Sequence, residues 1–185
     1  MSAMAGLWLP VLLTAVAVFM ASSLVHMLFN WHDSSYRKLD NEDAVREAIN
    51  AGKPQPGMYV LPYCADMKAM GEESMAAKMR EGPVGFLTLR PSGEFSMGKP
   101  LLLWFLLTLV VAAFGGLQAW QYVGPGGSPG AAGHLVGMMS LGVYVLGGVS
   151  EGIWMGRSWT SVALYALDGL IYSVLSALIF MWLWP

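Results

Sequence analysis

Ser161, Tyr165, Asp168, Tyr172 and Ser176 follow one another at steps of four, three, four and four residues. That spacing puts all five on one face of a helix. The stretch that carries them, Trp159 to Trp184, is otherwise apolar. At about 26 residues it is long enough to cross a bilayer. Asp168 lies about ten residues from its start, near the expected middle of the hydrocarbon. A carboxyl group there costs about 2.5–3.5 kcal/mol on insertion scales when nothing meets it. Such a group carries a proton, binds a ligand, or clamps two helices together. The preceding apolar run has its own stripe of Gly133, Gly137, Ser140, Tyr144, Gly148 and Glu151. Small residues let two backbones approach, and polar side chains then bond across. Only Gly156-Arg157-Ser158 separates the two runs, so they are expected to be antiparallel neighbours. Counted inward from Arg157, Tyr144 and Asp168 fall at nearly one depth. The Tyr144 hydroxyl is therefore the expected main partner of Asp168. Tyr165 and Tyr172 are second choices, and Ser140 completes the cluster.

Other residues invite chemistry too. His26, about one turn from the end of the first apolar run, matches Glu151 in depth, and the two form a candidate second pair. The opposing reading is that both snorkel to water. His32 falls beyond that run and is expected to meet headgroups. Cys64, Met67 and Met70 are spaced C-x2-M-x2-M, and thiolate and thioether suit Cu(I). Methionines at such spacing more often mark the buried side of an amphipathic helix, so neither a metal nor a cofactor is expected. Metalloprotease, P-loop, dinucleotide and four-cysteine zinc patterns are all missing from the sequence. With one cysteine, no intramolecular disulfide can form.

The elements that must position these residues follow from composition and pattern. Of the 185 residues, 56% are hydrophobic and only 12% charged. An ordinary soluble domain carries about 25% charge, so the chain reads as an integral membrane protein. Its net charge of −2 argues against nucleic acid as a partner. Residues 1–29 hold the first crossing. A cleaved signal peptide would need a basic start, and no Lys or Arg precedes Arg37, so a retained helix is expected. Residues 30–98 are polar, with short helices expected near 40–51 and 66–81 and extended segments near 58–61 and 84–90. Their apolar faces are small, so this segment reads as a cap lying on the membrane surface. Residues 99–185 hold three more crossings, near 101–122, 131–155 and 159–184. All eight Trp fall near an expected helix end, as an aromatic belt would. Nine of the ten Lys and Arg lie between residues 37 and 99, and the tenth is Arg157. The positive-inside rule then places the cap in the cytoplasm and both termini outside. The expected fold is an all-α four-transmembrane-helix bundle with a small mixed α/β cytoplasmic cap between the first and second helices.

Three stretches carry a resemblance: Leu-Val-His-Met-Leu-Phe-Asn-Trp-His-Asp-Ser-Ser-Tyr-Arg-Lys-Leu (24–39), Gly-Pro-Val-Gly-Phe-Leu-Thr-Leu-Arg-Pro (82–91) and Asp-Gly-Leu-Ile-Tyr (168–172). In these the chain resembles a set of uncharacterised bacterial four-helix membrane proteins of about this length. The resemblance implies a bacterial inner-membrane protein and assigns no functional residue. Membrane enzymes acting on anionic substrates usually bring Arg or Lys into the site, and none lies inside these runs. The expected role is thus an accessory or scaffold subunit in the bilayer, bound to other membrane subunits or to itself. The alternatives are an oligomeric proton-coupled carrier or channel using Asp168, and a membrane-embedded enzyme or Cu(I)-handling protein.

Overall fold

The structure, a computed structural model, describes residues 3–66, 68–94 and 96–185. In chain order, α1 (Ala3–Leu28) is followed by a 3-10 turn (Asn30–Ser35), α2 (Glu42–Ala51), β1 (Gly57–Leu61), α3 (Glu73–Glu81) and β2 (Gly85–Leu89). Then come α4 (Gly98–Tyr122), α5 (Pro129–Leu141), a π turn (Gly142–Leu146), α6 (Gly147–Trp154) and α7 (Trp159–Trp182). Four stretches are long and apolar enough to cross a membrane: Ala5–Leu28, Gly98–Tyr122, Pro129–Trp154 and Trp159–Trp182. Length and composition together make this the pattern of a multi-pass membrane protein. The chain divides into two compact units, Met1–Tyr36 with Ser96–Pro185, and Arg37–Phe95.

In the first unit, α1 packs on α4 and α7, α4 on α5, and α5 on α7, so the four spans close a ring. Serines start two of them. Ser128 Oγ accepts from the Ala131 N–H, with Pro129 in the first turn, and Ser158 Oγ accepts from the Ser161 N–H. The closest approach is between α5 and α7. A Cβ on Gly133 would lie 2.5 Å from the Ala177 carbonyl oxygen, and one on Gly137 would lie 2.8 Å from Ala177 Cβ. Leu7, Ala112, Ala119, Ala132, Val136 and Phe180 form the apolar core. These residues belong to the start of α1, the second half of α4, the start of α5 and the end of α7, so the core sits toward the end of the bundle that holds the termini. Leu102, Val110, Phe114, Leu170 and Val174 are exposed on the outside, where lipid tails would be their solvent.

The third span is not one regular helix. At Gly142–Leu146 the bonding widens to the π pattern, which inserts an extra residue into the turn. Everything after it is rotated by about 100° relative to an unbroken α-helix. Backbone contact accompanies the turn, since a Cβ on Gly169 of α7 would lie 2.6 Å from the Tyr144 carbonyl oxygen. Beyond it, a Cβ on Gly148 would meet nothing within 4 Å. The small-residue stripe read from the sequence therefore ends at the π turn.

In the second unit, β1 and β2 pair antiparallel, from Gly57 opposite Leu89 to Leu61 opposite Gly85. Val45, Ala48 and Ile49 of α2 line a shallow apolar groove with Leu61, Val84 and Phe86. Among the described residues of this unit, Met75 is the one buried hydrophobic side chain. The helix expected near 66–81 is confined to 73–81. Asp66 Oδ1 takes the Ala69 N–H at 2.7 Å and holds a separate 3-10 turn, and Glu72 is extended before α3 begins.

Candidate functional site

The polar end of the bundle lies opposite the apolar core. Phe29 is extended and ends α1. The next six residues, Asn30–Ser35, coil into the 3-10 turn, which packs on α7. Phe29 and Trp31 stack with ring centroids 5.2 Å apart, and Ser34 Oγ donates to the Trp31 carbonyl. This fold-back carries His32 onto Asp168. The His32 Nε2–H donates to Asp168 Oδ2 at 2.7 Å, and the two residues are only 7% and 2% exposed. Their link joins positions 136 residues apart.

His26, in the last turns of α1, completes a trio. Its Nε2 lies 4.0 Å from the same Oδ2. Its Nδ1 is 3.0 Å from the Ser22 carbonyl oxygen. A carbonyl only accepts, so Nδ1 carries the hydrogen and a neutral ring keeps its lone pair on Nε2. The His26 and His32 rings are stacked, with centroids 4.6 Å apart and planes at 15°. Tyr165 lies 4.5 Å from the His32 ring, its hydroxyl is 3.2 Å from that of Tyr36, and the Arg157 guanidinium stands 4.1 Å over its ring. Deeper in the bundle Tyr172 meets Tyr144 and Trp104 edge-on, and Trp104 Nε1 donates to Ser22 Oγ at 2.8 Å.

Among the described residues, His26, His32 and Asp168 are the one group of three His, Cys, Asp or Glu side chains close enough to share an ion, with ligand atoms all within 4.8 Å. The surroundings are polar and incompletely bonded. Six buried side-chain atoms among the described residues find no hydrogen-bond partner within the protein, and four are Trp31 Nε1, His32 Nδ1, Ser35 Oγ and Asp168 Oδ1. Buried polar atoms are nearly always satisfied, so four such atoms on one turn and its partner mark a place where something polar is expected.

Several expectations from the sequence need correction. Tyr144 is not the partner of Asp168. It lies inside the π turn, its carbonyl abuts Gly169, and its ring packs on Trp104 and Tyr172. Tyr172 is buried with its hydroxyl unpartnered, Tyr165 is half-buried against His32, and Ser140 is buried on α5. His26 and Glu151 do not pair. The π turn rotates Glu151 outward, where it accepts from Arg157 Nη1 at 2.5 Å. Asp168 stands near the middle of α7, and its carboxyl is level with the last turns of α1 and the coil beyond them. His32, expected among headgroups, is buried. The sequence signal it offered was an apolar, aromatic flank, Phe29 and Trp31, on an otherwise polar turn. Cys64 donates its thiol hydrogen to the Asp66 carbonyl at 2.9 Å, Met70 is exposed, and Met67 lies outside the described residues.

A carboxyl beside two imidazoles can exchange a proton with them or share a cation, and at this site one imidazole reaches the surface: His26 is 43% exposed at its side chain. Set beside known protein families, curated proteins and solved structures, the chain matches none.

Proposed function

We propose that the chain is a multi-pass protein of the bacterial inner membrane, termini in the periplasm and residues 30–98 in the cytoplasm, acting as an accessory or scaffold subunit of a membrane complex. One observation carries the reading. Asp168, the one Asp, Glu, Lys or Arg between residues 159 and 184, is bonded to His32 of the chain's own loop-entry turn. A buried acid bonded this way fastens the connection between the first span and the polar segment to the last span. That is what a structural subunit needs from it. The Lys and Arg distribution supports the orientation.

Purification of the tagged full chain from native membranes in mild detergent tests the role. A defined set of membrane proteins should co-purify in fixed ratio. A protein that runs alone and still supports a proton-driven flux in vesicles overturns the subunit reading.

The second reading, an oligomeric proton-coupled carrier using Asp168, has one observation in its favour: half-exposed His26 stands beside the buried carboxyl. The Asp168→Asn variant separates the two, because Asn keeps the acceptor but releases no proton. A clamp tolerates the change, whereas a carrier keeps its fold and loses its flux.

A further inference from the structure

We infer that His26, His32 and Asp168 bind one divalent first-row transition ion, of the zinc class. This goes beyond the subunit reading and does not rest on it. The donor set comes first. Two imidazole nitrogens and one carboxylate oxygen suit Zn2+ and its neighbours, whereas Ca2+ and Mg2+ favour oxygen ligands and Cu(I) favours sulfur. Three protein ligands leave a coordination position open, as in zinc sites that engage a further group.

The supporting shell comes second. The His26 Nδ1–H bond to the Ser22 carbonyl leaves Nε2 as the donor atom, an arrangement typical of metal-bound imidazoles. Asp168 is 2% exposed and its Oδ1 has no partner within the protein, so that oxygen keeps its lone pairs for a cation while Oδ2 meets His32. The nearby guanidinium of Arg157 is engaged by Glu151 and the Tyr165 ring and does not occupy the carboxylate.

The fit requires a defined change. Ligands around a tetrahedral zinc ion stand about 3.3 Å from one another. The His32–Asp168 separation is 2.7 Å and the His26–Asp168 separation 4.0 Å. The ion would take the place of the hydrogen between His32 Nε2 and Oδ2, and the neutral ring would carry that hydrogen on Nδ1, which has no partner within the protein. Stacked rings cannot aim two in-plane lone pairs at one point, so one ring must turn. His26, at 43% side-chain exposure, has the room to swing about its Nδ1–H bond to the Ser22 carbonyl, whereas His32 at 9% does not. Ion binding would thereby tie the first span, the 3-10 turn and the last span at one point.

The test uses the full chain in mild detergent, carried on a tag without histidines and stripped with a chelator. Zn2+ is titrated by calorimetry, and Co2+ replaces it as a visible-absorption probe. We expect one ion per chain, d–d bands of a low-coordinate cobalt site, and a melting temperature raised by Zn2+. The His26→Ala variant should melt like the parent without metal, because that ring is half-exposed, and should bind at least about tenfold more weakly. Asp168→Asn should abolish the cobalt bands, while Cys64→Ala should bind as the parent does. The inference is overturned if the parent binds no stoichiometric ion, if His26→Ala binds as tightly as the parent, or if Cys64→Ala loses the ion.

Discussion

At the scale of single residues, the buried carboxyl of Asp168 is met by an imidazole from a distant part of the chain. The two partners are not equivalent in what their loss would leave behind. Removing His32 strands a buried carboxyl with both oxygens unpartnered. Leaving a buried polar group unsatisfied costs its desolvation, about 1–3 kcal/mol, and more when it is charged. Asp168→Asn keeps an oxygen that can accept from the His32 Nε2–H and should cost less than about 1 kcal/mol. Thermal unfolding in detergent checks the order, and an Asp168→Asn loss equal to or larger than that of His32→Ala would refute it. The acid itself was legible in the sequence, because an uninterrupted helix keeps its period from Ser161 to Ser176. Its partner was not. Periodic reasoning stops where a helix stops, and His32 lies beyond Leu28, in a 3-10 turn whose path no helical period describes. Depth counting then chose Tyr144 by default.

At the scale of elements, the π turn decides which residues face which. Widened bonding needs no particular residue type, so a glycine-spaced run reads as one straight helix and its stripe as continuous. The structure breaks that stripe after Ser140. Alanine substitutions expose the break. A Cβ on Gly169 would lie 2.6 Å from the Tyr144 carbonyl oxygen, and one on Gly133 would lie 2.5 Å from that of Ala177. Backbone atoms cannot step aside cheaply, so Gly169→Ala and Gly133→Ala should each destabilise by about 1–3 kcal/mol. Gly148→Ala meets open space and should be neutral, or stabilising by up to about 1 kcal/mol through helix propensity. A straight third helix would make Gly148→Ala costly as well, and melting curves of the three variants decide between the two geometries. The four spans themselves were readable because apolar length is all a bilayer crossing demands.

At the scale of the whole molecule, the basic residues set the expected orientation. A periplasm-active alkaline phosphatase fused after Pro185 should be active, and one fused at Gly93 inactive; the reverse pattern would overturn the assignment. Beyond orientation, the 136-residue separation of His32 and Asp168 bears on how the protein is made. His32 leaves the ribosome just after the first span, whereas Asp168 arrives with the last. A chain arrested after its third span has a loop-entry turn with no carboxyl to hold it, and a fourth span not yet docked exposes its acid to lipid. The pair closes only when the last span has packed against the first and its following turn. It thus marks a finished molecule, in which the buried acid and the loop-entry turn are held by each other.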